Sequence, residues 1–408
     1  SIFGTYSSMA SSLAAGIFAV FTALYRSDDT WIIILPFALS WFAAPAAALY
    51  MSRSPKLEDA LESSPDDRGI LRVVARRTWR FFETFVTATE NMLPPDNFQE
   101  DPKPLVAHRT SPTNIGLYLL SVASAREFGW IGLGDAIEKI ETTLATVMRM
   151  EKCRGHLYNW YDTTNLHPLE PKYVSTVDSG NLAGHLIALS NSCSKWTANP
   201  DNVDGCLDGI EDILQILEQD LAAIPNDRRQ LSAVRKKFEL QVAALRKSLD
   251  KARQTPEYIS VRLIEFAVQA SNIYATANEL NAEIGMAASG QLLSWAVVLR
   301  ETVESHFKDL SGEQIARRTK LENLISGMRE LAFGMEFGFL LDPQRLLLSI
   351  GYRVAEAMRD ESCYDMLASE ARLASFFAIA KGDLRTRHWF RLGRAVTALK
   401  GGAALVSW

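Results

Sequence analysis

The chain is 408 residues long, which at ~150 residues per domain allows two to three domains, and its 48% hydrophobic and 22% charged content excludes a disordered chain. Lys and Arg number 43 against 48 Asp and Glu, a formal net charge of −5, so the basic face that a nucleic-acid binder needs is not provided. With 23 Gly and 4 Cys, the collagen-like and disulfide-scaffold classes are excluded as well.

Residues 1–25 and 30–52 contain no charged residue, and each can supply the ~20 apolar residues of a membrane helix. The second stretch, WIIILPFALSWFAAPAAALYM, has Trp31, Trp41 and Tyr50 as interface anchors. A cleaved signal peptide competes for the first stretch but lacks a basic n-region, and a soluble core hairpin competes for both. Arg53, Lys56, Arg68, Arg72, Arg76, Arg77 and Arg80 follow, which by the positive-inside rule places the long C-terminal part in the cytoplasm. The chain begins at Ser1, not Met, and is expected to be a piece of something longer.

Residues 54–67 read as a polar linker after a membrane pair at 1–53. Helical spacing resumes at Arg68 and places Leu71, Val74, Trp79, Phe82, Phe85 and Val86 in one pattern, ending at Pro94 and Pro95. Further helices are expected at 115–128, 133–149 and 182–193, with irregular loops between them. Residues 200–256 read as a charged helical hairpin inserted in, and packed on, the body, and helices continue across 258–283, 286–308 and 312–332. FGFLLDPQRLLLSIGY suggests a hairpin turning at Asp342 and Pro343, followed by helices at 367–380 and 388–399 and then the start of another element. The expected fold is all-α: an incomplete (α/α) toroid over 68–408 with a helical hairpin insertion, preceded by two transmembrane helices.

The chain has no GxGxxG, P-loop, HExxH or GxSxG motif. Its six histidines are scattered, and Cys153, Cys193, Cys206 and Cys363 form no CxxC pair, so neither a metal site nor a cofactor is expected and the thiols read as free in a reducing compartment. Four loop clusters stand out: Asp96, Asn97, Phe98 and Gln99; His108 to Asn114, with Arg109; Asn159, Trp160, Tyr161 and Asp162; and Asp178, Ser179, Gly180 and Asn181. Each mixes planar amides or carboxylates with a ring or a cation. Sugars need this mixture, because hydroxyls bond Asp, Asn, Gln and Arg while the apolar sugar face stacks on an indole or phenol. Capping is the competing role for Asp178 and Ser179 and for Ser111 to Asn114, and core packing for Trp160 and Tyr161. A fifth cluster holds Tyr364, Glu370 and Arg372, with the last two inside an expected helix.

NMLPPDNFQE, AHRTSPTNIGLYLLS, HLYNWYDT, YVSTVDSGNLAGHL, YDMLASEARLASFFAIAKGD and HWFRLGR together resemble the middle, glycoamylase-like region of cyclic β-1,2-glucan synthases. The two apolar stretches resemble the last membrane helices of the glycosyltransferase module that precedes it. The resemblance implies a large bacterial inner-membrane enzyme. Its membrane module would extend a β-1,2-glucan from UDP-glucose, and its middle (α/α) barrel would cyclise the chain by transglycosylation. It further implies that Trp160 and Tyr161 stack on glucose, and that Asp96, Asn97, Gln99, His108, Arg109, Asn114, Asn159, Asp162, Asp178, Asn181 and Tyr364 contact hydroxyls, with Glu370 and Arg372 on the floor. Retaining transfer needs two carboxyl groups about 5–5.5 Å apart; by the same resemblance these lie beyond Trp408. Two other readings stay open: a self-contained membrane-anchored glycosidase using Asp162, Asp178 or Glu370, and a non-catalytic, membrane-tethered module that binds glucan or organises a complex.

Overall fold

The computed structural model describes residues 9–25, 31–51, 64–224, 229–310, 314–366, 369–391, 393 and 396–405. Helix dominates them, as the sequence predicts. The chain divides into two units, residues 1–67 and 68–408.

The first unit holds helices α1 (Ala10–Tyr25) and α2 (Trp31–Met51). Gly16 sits where a Cβ would meet the Phe42 ring at 3.1 Å, so a glycine lets these two helices pack closely. Helix α2 has 21 residues and is long and apolar enough to cross a membrane. Helix α1 has 16 described residues, fewer than the ~20 a span needs, so α2 is the one candidate span among the described residues. The loop after α1 and most of the expected linker lie outside the described residues. Ser64 and Asp67 cap the next helix reciprocally, and Pro65 occupies its first turn, so the linker's last residues are already helical.

The second unit contains two hydrophobic cores. Helix α3 (Pro65–Phe85) ends nine residues before Pro94; a 3-10 turn at Ala88–Glu90 replaces the helix expected there. Helices α4 (Pro112–Glu127), α5 (Leu133–Arg149) and α6 (Thr176–Ala198) follow. The first core is built mainly from these three, together with α11 and α12, defined below.

The stretch read as an inserted hairpin is half of a larger object. Helices α7 (Val203–Ala223), α8 (Arg229–Gln254), α9 (Ile259–Ile284) and α10 (Met286–Leu310) each pack on the next, and α10 closes on α7. The result is a four-helix bundle around its own core of Leu207, Ile213, Phe238, Leu245, Phe266, Ile273 and Leu299. Spacing shows which face of α7 and α8 is apolar, but not that α9 and α10 cover it. Helices α11 (Gln314–Gly334) and α12 (Arg372–Lys381) return to the first core.

The bundle is clamped to the first core through the α4–α5 loop. Thr302 and His306 of α10 bond the carbonyls of Trp130 and Gly129, and Ser305 accepts from the Gly132 N–H. Asp309 accepts from the N–H groups of Leu133 and Gly134 at the positive start of α5. Gly129 has φ +76°, and a Cβ there would lie 1.8 Å from the Gly205 carbonyl oxygen of α7. Gly129→Ala combines left-handed strain with a backbone collision, and chemical denaturation is expected to show a loss of about 3 kcal/mol. A loss below 1 kcal/mol would mean that the loop and α7 part easily.

The strands are short. β1 (Phe98–Gln99) pairs with β2 (Leu105–Val106), β3 (Arg109–Thr110) with β6 (Tyr161–Asp162), and β4 (Lys152–Cys153) with β5 (His156–Leu157). β7 (Tyr173–Ser175) pairs with β10 (Gly351–Arg353), which also pairs with β11 (Met358–Arg359). The expected hairpin at Asp342 forms as β8 (Leu341–Asp342) and β9 (Leu347–Leu348). Among the described residues of 388–399, the expected helix does not form. A 3-10 turn at Thr386–His388 is followed by the hairpin β12 (Val396–Leu399) and β13 (Gly402–Leu405), with Gly401 at φ +96° in its turn. Helix α12 starts at Arg372, not 367, because residues 369–371 form an irregular turn; Glu370 therefore lies outside it.

Candidate functional site

Three local devices gather the loop clusters onto one surface. Strands β3 and β6 set Arg109 opposite Asp162 and Thr110 opposite Tyr161, joining the second cluster to the third. Ser111 caps α4 by accepting from the Asn114 N–H, as the capping alternative proposes, with Pro112 in the first turn. Ser175, rather than Asp178 or Ser179, caps α6, so the fourth cluster is the opening of a helix and not a loop. The starts of α4 and α6 meet where Asp178 Oδ1 accepts from Thr113 Oγ1 at 2.6 Å and from the Thr113 N–H at 3.4 Å.

Asp96 joins the first cluster. Its Oδ2 accepts from Arg109 Nε and Nη2, at 3.2 and 2.9 Å, and from Asn97 Nδ2 at 3.0 Å, while its Oδ1 accepts from Asn114 Nδ2 at 3.2 Å. Arg109, so held, lies over the Trp160 indole, 4.6 Å from the ring centre. The Asn159 amide, oriented to satisfy both neighbours, donates to Asp178 Oδ2 at 2.9 Å and accepts from Trp160 Nε1 at 3.1 Å. Asn181 Nδ2 donates to Thr113 Oγ1 at 3.2 Å. Eight of the sequence-predicted residues thus form one half-exposed network: Asp96, Asn97, Arg109, Asn114, Asn159, Trp160, Asp178 and Asn181.

Other predicted residues stand elsewhere. Tyr161 is fully buried; its hydroxyl donates to the Glu151 carbonyl and accepts from the Tyr158 N–H, so it is a core residue and cannot stack on a sugar. Asp162 organises its own turn through Thr164 and Asn165, and the Thr164 hydroxyl holds its carboxyl below the usual range. His108 pairs with Glu90 at 2.8 Å, and Glu90 also receives the Thr163 hydroxyl. Gln99 is exposed and bonds the Asp101 carbonyl. Exposed Arg372 lies over Trp389 at 5.8 Å. Tyr364 is held above its ordinary pKa by burial first and then by the charges of Glu370, Asp178 and Asp360, and Glu370 itself is exposed.

Thr113 lies within the second cluster but is not singled out there. Two neighbours escape sequence reasoning: Tyr173, whose hydroxyl donates to Asp360 at 3.2 Å, sits in a strand, and Asp360 has no local signal at all. Among the described residues no group of three His, Cys, Asp or Glu is arranged to hold a metal ion. Two cavities of about 280 and 540 Å³ lie where the bundle meets the first core, and no sequence-predicted site residue lines either. The network is instead an indole, a guanidinium, amides and carboxylates in one partly solvated patch, a set suited to hydroxyl-rich ligands.

No family model matches the chain. Over 401 residues it is 49% identical to the cyclic β-(1,2)-glucan synthase NdvB of Rhizobium meliloti (strain 1021). The match covers 97% of this chain and 14% of that protein, so the chain spans about one-seventh of the relative's length. The resemblance carried by the sequence motifs is thus borne out: along nearly its whole length, this chain is similar to one segment of a cyclic β-(1,2)-glucan synthase.

Proposed function

We propose that this chain is the part of a membrane-bound cyclic β-1,2-glucan synthase that binds linear β-1,2-glucan for cyclisation by transglycosylation. In this reading the helices of the first core belong to a glycoamylase-like (α/α) toroid, and UDP-glucose is used at a separate glycosyltransferase module of the whole enzyme. Helix α2 would tether the chain to the bacterial inner membrane, with the helical region on the cytoplasmic side. The observation that carries the reading is the convergence of four polar-aromatic clusters, separated by up to 85 residues, on the Arg109–Trp160 pair. This convergence occurs in a chain whose relative is a β-(1,2)-glucan synthase. Trp160 supplies the stacking surface; Arg109, Asn114 and Asn181 supply donors near it.

Calorimetric titration of the detergent-solubilised chain with linear β-1,2-glucan tests this. Trp160→Ala is expected to weaken binding at least ~10-fold, the scale of losing an aromatic contact at the centre of a site. Binding that is absent in the parent chain, or unchanged in Trp160→Ala, overturns the glucan assignment of this surface.

A further inference from the structure

The polarity of the hydrogen bonds behind Trp160 assigns roles that composition does not. An indole N–H only donates, so its partner must accept. That partner is Asn159 Oδ1, which leaves the Asn159 NH2 facing Asp178 Oδ2. Asp178 can receive it because a carboxylate only accepts, and its other oxygen receives the Thr113 hydroxyl. Thr113 in turn accepts from Asn181. Proton donation therefore runs inward from both ends and terminates on Asp178: from Trp160 through Asn159 on one side, and from Asn181 through Thr113 on the other. Over the indole ring, Arg109 is fixed by Asp96, and Asp96 by Asn114.

We propose that Asp178 and Asn159 are positioning residues: they lock the Trp160 indole as a preassembled platform for one glucosyl ring, and Asp178 does not itself contact the glucan. This rests on the glucan reading above. Pre-organisation of this kind matters because an aromatic ring that must be ordered on binding loses part of its affinity to that ordering.

Substitution by amide and acid exposes the relay. In Asp178→Asn, the new oxygen stays with Thr113, which offers both its hydroxyl and its N–H, so the new NH2 faces Asn159. Asn159 then presents either NH2 to NH2 or, after rotation, NH2 to the indole N–H; one donor is opposed by a donor in both cases. In Asn159→Asp, two carboxylate oxygens face each other at the site of the 2.9 Å bond. The double variant Asn159→Asp/Asp178→Asn restores every polarity: Thr113 donates to the new amide oxygen, the new NH2 donates to the new carboxylate, and that carboxylate accepts from the indole.

The experiment titrates linear β-1,2-glucan into the parent chain, both single variants and the double variant. Each single variant is expected to bind ~5–10-fold more weakly, and the double variant within ~2-fold of the parent. A double variant no better than Asp178→Asn shows that the carboxylate at 178 is needed in its own right and overturns the proposal, while the glucan reading stands on the Trp160→Ala result. A second readout is independent of ligand. In 5-fluorotryptophan-labelled protein, the Trp160 resonance (identified by its loss in Trp160→Phe) is expected to broaden or shift in both single variants and return in the double variant. An unmoved resonance overturns the positioning role. Asn159→Ala, which removes the relay without leaving a mismatched group, gives the same two readouts if Asp178→Asn does not fold.

Discussion

Asp212→Ala is expected to lower the free energy of unfolding by about 3 kcal/mol and to split the unfolding transition into two. Asp212 lies on α7 and is 4% exposed. Its two oxygens accept from Arg72 Nε and Nη2 of α3, both at 2.8 Å, and Oδ2 also accepts from Trp130 Nε1 of the α4–α5 loop at 2.8 Å. Burial pushes the carboxyl pKa up, and the Arg72 guanidinium and the Trp130 N–H oppose that push. Removing the carboxylate leaves a buried indole N–H and a partly buried guanidinium without their acceptor, the circumstance in which loss of one partner costs most. The Arg72 side chain is 25% exposed, so water recovers part of the loss and the lower end of the usual 3–5 kcal/mol range applies. The split follows from position, because this carboxylate joins elements of the first core to the bundle. Urea unfolding followed by tryptophan fluorescence and by circular dichroism checks both parts. Coincident curves displaced by less than 1 kcal/mol would show that the Gly129–Gly205 contact and the Asp309 cap hold the cores together unaided.

Acidification is expected to destabilise the second unit well above the range where carboxylates titrate. His156 is fully buried, 2.8 Å from Ser179 Oγ and 2.8 Å from the Glu336 carbonyl, with Phe337 and Phe339 edge-on to its ring. Burial lowers its pKa from 6.5 to about 4, against the smaller opposing effect of the Glu336 carbonyl. The neutral ring is thus the folded form, and the unfolded chain binds the proton first. Stability is complete above pH ~6.5, falls as pH drops from there towards 4, and levels off below, where both states are protonated. The full loss from this residue is about 3 kcal/mol, of which about 2 kcal/mol is gone by pH 5. Buried His306 shifts in the same direction for the same cause, as do His185 and His388. Asp162, Glu265 and Asp342 have lowered pKa values and add their own loss only at lower pH, as they protonate. Denaturation at pH 7.5, 6.0 and 5.0 separates the two windows. His156→Gln is expected to flatten the slope between pH 6.5 and 5, and a slope unchanged by that substitution would assign the acid loss to other groups.

Much of the fold was legible because helix formation is local. The spans expected at 133–149, 258–283, 286–308 and 312–332 lie within a few residues of α5, α9, α10 and α11, since repeating apolar positions reveal a helix without reference to what it packs on. Errors fall where local pattern is weak. Residues 388–399 have apolar positions compatible with a helix, but the Gly401–Gly402 turn and the pairing of Val396–Leu399 with Gly402–Leu405 supply a competing partner. Local pattern starts α6 six residues late, because Asp178 and Ser179 resemble a cap while Ser175, buried at the end of a strand, gives no local sign of being one.

By itself the sequence determined the helical class, the apolar helix α2, the four clusters and the motifs that point to the glucan synthases. Only the tertiary structure decided which clusters work together and in what roles. Tyr161 and Trp160 are adjacent and chemically alike, yet one is sealed in the core and the other sits under Arg109. Asp178 meets Thr113 across 65 residues of chain, and Asp212 meets Arg72 across 140. Residue spacing records which side chains share a face. Which face meets which other face depends on burial summed over whole elements, and that sum also made four helices, rather than an inserted pair, close around a second core.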